Sequence, residues 1–440
     1  MKEERLYIAE GGADRDLSGE ELHDLFSAAF CAARASTGKS GPVLILPPDS
    51  TRIHSRAGLL AASAFAGAGS RGAVIMPALG THTAMSAAEL SRMFPGVPHN
   101  AFRVHDWRNG IVELGRLEAE WVEKTCEGAV RYDWPAQVNR LLVDGGFSLI
   151  VSIGQVVPHE VTGMANHAKN ILVGTGGKEA IDKSHYAGAC YGMERIMGRT
   201  DTPVRALFDE GMRRFGGFLP PVLYVLTVLG RKADGALAVR GLFAGFGREC
   251  FQRASALARL VNVETLDEPV HKAVVYLDPG EYRSTWLGNK AVYRTRMALA
   301  DGGELVVMAP GLERFGEDGG MDDLIRAYGY SSAAGIKETA AKEKRLGENL
   351  GAAAHLIHGS SEGRFTVRYC PGPGLSRKDI EGVGYEWGCL DETLARYDPH
   401  TLRPGWNDIN GTGGGTERIF FVPNPALGLW AEKGRFGAHK

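Results

Sequence analysis

The sequence lacks the marks of several large protein classes. Only six cysteines occur in 440 residues, scattered from Cys31 to Cys389 with no C-x-x-C pair. That argues against a zinc knuckle or a disulfide framework. Charge of one sign is not in excess: 50 Lys and Arg face 52 Asp and Glu, for a net of −2. No basic stripe stands out, so nucleic acid is not an expected partner. Long apolar runs are missing too. The longest, Gly58 to Gly69, is built of small residues and is too short to span a bilayer. The opening segment has no apolar signal core. A cytoplasmic protein without membrane partners is the expectation.

Glycine is what the chain has in plenty: 59 residues, nearly twice the usual share of about 7 %. Proline is ordinary at 20 and no G-X-Y period exists, so collagen is excluded. The composition is otherwise globular, and the length calls for more than one domain. Glycine must then serve tight turns and close backbone approach.

Short apolar runs alternate with helical patterns. Strands are expected at Pro42–Pro47, Gly72–Met76, Ser148–Ile153, Ile171–Gly174 and Val222–Leu229. Helical spacing marks Ser55–Ala68, and Ser86 with Glu89 forms a capping box opening a helix through Met93. The polar stretch Asn262–Val270 reads as a boundary. Beyond it come strands at Ala273–Leu277, Glu304–Ala309 and Arg418–Val422, and helices at Leu287–Ala300 and Lys337–Leu350. The fold class is α/β: two domains, 1–265 and 266–440, with mostly parallel sheets flanked by helices. The last strand is left open to pairing with the first domain.

In such sheets ligands lie beyond the carboxyl ends of strands. Polar residues do follow the expected strands. Asp49-Ser50-Thr51-Arg52 follows the first, Gly80-Thr81-His82 the second, and His105-Asp106 lies in a later loop. The stretch 151–185 holds His159, His167, Lys169, Lys178, Lys183 and His185. Taken singly each has an ordinary explanation. A histidine after a strand is more often a loop hydrogen-bonder, and Lys178 and Lys183 read as solvated helix charges. Gly174-Thr175-Gly176-Gly177-Lys178 lacks the phosphate-loop spacing. The HExxH pattern and close histidine pairs of zinc enzymes are missing. Two histidines about one substrate carbon, with an arginine for a carboxylate, is the layout of a two-base racemase or epimerase. A binding protein and a zinc hydrolase remain as alternatives.

In combination these elements resemble the nickel-pincer lactate racemase family. The matching residues are Asp49-x-Thr51-Arg52, Gly80-Thr81-His82, His105-Asp106 and Pro158-His159, with Lys169 ten residues after His159 and His185 sixteen further on. Lys290, twelve before Gly302-Gly303, matches a family lysine. The resemblance implies an active site in the interdomain cleft. It also implies a cofactor: the nickel complex of a pyridinium-3,5-bisthiocarboxylic acid mononucleotide. Lys169 resembles the lysine joined to it and His185 the nickel ligand, with Gly80, Thr81 and His82 also expected to bind the cofactor. His105 and His159 resemble the two catalytic histidines, and Asp49, Arg52 and Lys290 substrate-binding residues. Departures at Asn166, His167 and the Tyr282–Lys290 stretch resemble the sugar-acid branch, with Asn166 and Trp286 expected to bind the substrate. A C2 epimerase of D-gluconate or D-mannonate is therefore expected, with a racemase of lactate or malate as the alternative. Protein made without the cofactor-building enzymes is expected to be apo, and oligomeric state is open.

Overall fold

A computed structural model describes residues 5–69, 72–232, 234–411 and 415–437. The chain forms two units. One runs to Ser184 and resumes over Ile196–Asn262; the other takes His185–Arg195 and the described residues from Val263 on. Each is an α/β body, as the alternation of patterns requires.

The first unit is built on six strands: β1 (Leu6–Gly11), β2 (Val43–Leu46), β3 (Ala73–Ile75), β4 (Leu149–Gln155), β5 (Val222–Arg231) and β6 (Leu237–Gly245), in the order β1-β6-β5-β4-β2-β3. Strands β3, β2, β4 and β5 run parallel, while β6 and β1 add antiparallel at one edge. Strand β4 is buried along its whole length, which is why it reads as a nearly unbroken apolar run. Helix α1 (Gly19–Ser36) starts at a capping box made by Ser18 and Glu21. It buries Leu22, Phe26, Ala29, Phe30 and Ala33 on one stripe. Helix α2 (Ala57–Ala68) packs with it in the same apolar core, against Val151, Ile153 and Val225 of the sheet. Burying a side chain such as Phe26 contributes roughly 1.5–3 kcal/mol, as an upper bound.

Three further helices carry or support the residues of interest: α3 (Ala168–Leu172), α4 (Lys178–Tyr191) and α5 (Pro203–Phe215). The segment expected as a strand at Ile171–Gly174 is thus the end of α3 and the loop after it. A short apolar run fits a buried helix face as well as a strand. Asn170 decides the matter, turning its amide back onto Leu46 O and Ser152 Oγ of the sheet.

The second unit has its own six-stranded sheet of β7 (Val270–Tyr276), β8 (Leu299–Ala309), β9 (Thr366–Pro371), β10 (Glu386–Trp387), β11 (Gly405–Asn410) and β12 (Thr416–Val422). The order is β10-β9-β8-β7-β12-β11, parallel except for the β11–β12 pair. The late strand β12 therefore pairs inside this unit. The stretch expected as a linker contains a strand, Val263–Leu266, paired with Leu429–Glu432. The expected helix at Leu287–Ala300 is two short ones, Thr285–Gly288 and Lys290–Thr295, and its last residues already belong to β8. The charged stretch at Lys337–Leu350 is broken as well, into Ala333–Lys342 and Lys344–Gly347, with Leu350 opening Leu350–Gly359. No helix among the described residues is long and apolar enough to cross a membrane.

Candidate functional site

Parallel pairing places the carboxyl ends of β2, β3 and β4 along one edge of the first sheet. The chain leaves each end into a polar segment. After β2, Asp49 caps the short helical turn Ser50–Ser55 by accepting the Thr51 N–H. After β3 comes Gly80-Thr81-His82, and after β4 comes Pro158-His159. The Gly80 N–H donates to Gly174 O at 2.9 Å. That bond ties the β3 loop to the loop following α3.

Asp49 is buried, and His82 reaches it from the exposed loop. His82 Nδ1 lies 2.6 Å from Asp49 Oδ2. Oδ1 of the same carboxylate accepts the Thr51 N–H and hydroxyl. Burial is the largest single influence and pushes this carboxyl up, but the His82 bond and charge, the Thr51 bond and the nearby Arg52 charge together outweigh it and bring it to about 2. An ionised Asp49 fixes the proton of neutral His82 on Nδ1 and leaves Nε2 as the acceptor. Nε2 has no protein partner among the described residues. Arg52 is half-buried and makes no side-chain hydrogen bond or ion pair among them.

His159 has the opposite arrangement. Its Nδ1 accepts the Val161 N–H at 3.1 Å. In the neutral ring the proton then sits on Nε2. Lys169, on α3, completes the group. Desolvation lowers its amine to about 8, with Arg52 and Arg205 acting in the same direction against Glu160 and Asp49. Those four charges act on the one amine, so Asp49, Arg52 and Lys169 share a single electrostatic site.

Two expected residues behave differently. His105 is 2 % exposed. Its Nε2 donates to Gly176 O at 3.0 Å, and its Nδ1 accepts from Asn139 Nδ2 at 3.0 Å. Burial pushes its pKa down. Both ring nitrogens have protein partners, Gly176 O and the Asn139 amide. Asn166 is likewise turned inward. Its Oδ1 accepts the His167 N–H, and its amide nitrogen lies against Gly154, where a Cβ would come within 2.2 Å. His167 is buried, lies tilted against Tyr224 and stacked on Phe251, and donates from Nε2 to Gly247 O at 3.0 Å.

His185, Trp286 and Lys290 belong to the second unit. His185 lies on α4 and is half-buried. Trp286 stacks on His355 with ring centroids 4.3 Å apart. Lys290 Nζ stands 5.5 Å from the Tyr282 ring centroid. Among the described residues no three His, Cys, Asp or Glu side chains gather as a metal-binding group.

Two contributors escaped the sequence reading. Glu160, beside His159, influences Lys169, and adjacency to the Pro-His pair was the only available signal. Arg205 sits in an ordinary amphipathic helix, and nothing in its neighbourhood marks it.

Residues 33–195 match the family model described as the lactate racemase N-terminal domain. That stretch holds every site residue named above from Asp49 to His185. Comparison with curated proteins gives no match. Among solved structures, a protein from Thermotoga maritima is similar at 24 % identity and TM-score 0.77, covering 96 % of this chain and 100 % of that one. The lactate racemase apoprotein from Thermoanaerobacterium thermosaccharolyticum is similar at 16 % identity and TM-score 0.64, with 91 % and 89 % covered. These likenesses establish the α/β fold with its mostly parallel, helix-flanked sheets.

Proposed function

We propose that this chain is a racemase or epimerase of 2-hydroxy acids, and specifically a C2 epimerase of a sugar acid of the D-gluconate/D-mannonate type. The observation that carries the reading is the complementary pair of imidazoles that follow parallel strands of one sheet. His82, oriented by Asp49, has an Nε2 ready to accept a proton. His159, whose Nδ1 accepts the Val161 N–H, carries its proton on Nε2 in the neutral ring and is assigned the acid. Inversion at a carbon bearing a hydroxyl needs a group of each kind. We therefore assign the acid–base pair to His82 and His159, and give His105 a structural role.

The residues fit the nickel-pincer nucleotide. Lys169 is held near the pKa at which an amine attacks an acyl or thioacyl carbon in neutral solution. His185 would supply the nickel ligand, and the matched domain model includes both. When bound, the cationic ring supplies a sink for hydride from the substrate's C2. Arg52, with no ion pair of its own, would hold the substrate carboxylate through its planar fork. Lys290 and Trp286 would contact the remainder of the substrate. The sugar-acid reading rests on the polar Tyr282–Lys290 stretch. The match to a lactate racemase domain, together with the inward-turned Asn166, favours a second reading, racemisation of a short acid such as lactate or malate.

The test is to make the protein with the cofactor-building enzymes and incubate it in D₂O with aldonates, lactate and malate. Products are followed by NMR. A C2 epimer of D-gluconate or D-mannonate with retained C2 hydrogen is expected. Turnover of lactate or malate alone selects the second reading, and no turnover of any 2-hydroxy acid removes both.

A further inference from the structure

Lys169 follows two consecutive non-glycine residues of strained backbone. Asn166 and His167 both take positive φ, 71° and 60°. This region costs a non-glycine residue about 1–3 kcal/mol and persists only where the surroundings impose it. Helix α3 begins at once, with His167 at its N-cap and no side-chain cap bond. Five residues of helix do not sustain themselves in isolation. The direction in which Lys169 leaves the backbone is therefore set from outside.

Arg205 is placed to set it. It lies in the first turn of α5, where the Thr202 side chain accepts its N–H. Its side chain is enclosed, with the residue 1 % exposed. Nη1 donates to Asn166 O at 3.1 Å and Nη2 to Met164 O at 2.5 Å. The guanidinium lies 4.3 Å over the Phe251 ring. A buried guanidinium costs several kcal/mol unless it is compensated. Asp209, one turn along α5, is a source of opposite charge, yet both its carboxylate oxygens lack hydrogen-bond partners. Arg205 thus directs its donors to two backbone carbonyls and not to that carboxylate. Two further contacts finish the grip: Gly154 leaves room for the Asn166 amide, and Gly247 O receives His167.

We infer that Arg205 is a positioning residue: its fork spans the carbonyls of Met164 and Asn166, imposes the left-handed pair Asn166–His167, and so aims Lys169 into the site. The inference rests on the reading of Lys169 as the reactive amine. Lysine at position 205 keeps the charge but cannot reproduce the planar two-point fork.

The test uses cofactor-free Arg205→Lys and Arg205→Met with no substrate present. Circular dichroism checks the fold. Hydrogen–deuterium exchange is read over residues 164–170. The pH profile of Lys169 modification by trinitrobenzenesulfonate is read by peptide mass spectrometry, with other lysines as internal standards. In both variants exchange over 164–170 is expected to quicken at least tenfold while α1 and α2 are unchanged. In Arg205→Met the Lys169 midpoint is expected to rise by a pH unit or more. A folded Arg205→Lys protein with wild-type exchange over 164–170 overturns the inference, and it decides alone if Arg205→Met does not fold. A wild-type Lys169 midpoint at the ordinary lysine value removes the reactive amine before any variant is made. Failure of turnover, by contrast, bears on the proposed function only.

Discussion

His82 Nδ1 and Asp49 Oδ2 stand 2.6 Å apart across 33 residues of sequence. This bond orients the imidazole of an exposed loop histidine. It also holds a buried carboxylate in its ionised form.

His82→Ala and His159→Ala are each expected to lower kcat by about 10²–10⁴-fold with the fold retained, measured on cofactor-loaded protein. His105→Ala is expected to behave otherwise. It strips partners from Asn139 and Gly176 and costs about 1–3 kcal/mol of stability, read in urea unfolding, while kcat in the folded fraction stays within a few-fold. An equal collapse of kcat in His105→Ala at intact stability would return the proton-transfer role to His105.

Asp49 sets an acid limit. Its folded pKa, about 2, lies below the usual carboxylate value. The unfolded chain therefore binds the proton more tightly. The stabilisation is fully present above the unfolded value and is lost as pH falls through about 2. It amounts to about 2 kcal/mol. Asp49→Asn should remove most of it at pH 6 and flatten the decline of stability in acid, as denaturant titrations at several pH values would show.

Lys169 works in the opposite sense. Its folded pKa is lowered to about 8, so the unfolded state holds the proton more tightly and the charged amine weakens the fold below pH 8. The penalty is about 3 kcal/mol at neutral pH, declines as pH rises above about 8 and is essentially gone past the unfolded lysine value. Lys169→Met should accordingly raise the melting temperature of the apo protein at pH 7 and have little effect near pH 11. A variant no more stable than wild type at pH 7 would show that the amine is not desolvated.

Gly163 has φ of 80° and faces Arg199 O, where a Cβ would lie only 2.0 Å away. Gly163→Ala must displace backbone between His159 and Lys169. A loss of several kcal/mol and of activity together is expected; a melting curve superimposable on wild type would contradict it.

Much of this was readable in the order of residues. Polar segments after Pro42–Pro47 and Gly72–Met76 lie at the carboxyl ends of parallel strands because side-chain pattern and turn chemistry are local. The spacing from His159 to Lys169 to His185 is likewise a property of the chain. The sequence reading fails where the outcome is not local. Ile171 and Leu172 are apolar in a strand or a helix alike, and Asn170's bonds to residues 18 and 124 positions away select the helix. The glycines divide in the same way. Gly80 was visible beside His82, whereas Gly154 matters only because Asn166 folds back over it.

By itself, then, the sequence determined the alternation of strands and helices, the residue types that follow each strand, and the spacing that links His159, Lys169 and His185. Only the tertiary structure decided which partner each imidazole nitrogen meets. His105 and His82 look alike in sequence, but Asn139 and Gly176 close the first and Asp49 orients the second. The pKa of Lys169 was settled the same way, by burial and by charges brought from Arg52 and Arg205. Protonation depends on desolvation and on charges within a few ångströms, and those neighbours are chosen by the fold, not by adjacency in the chain.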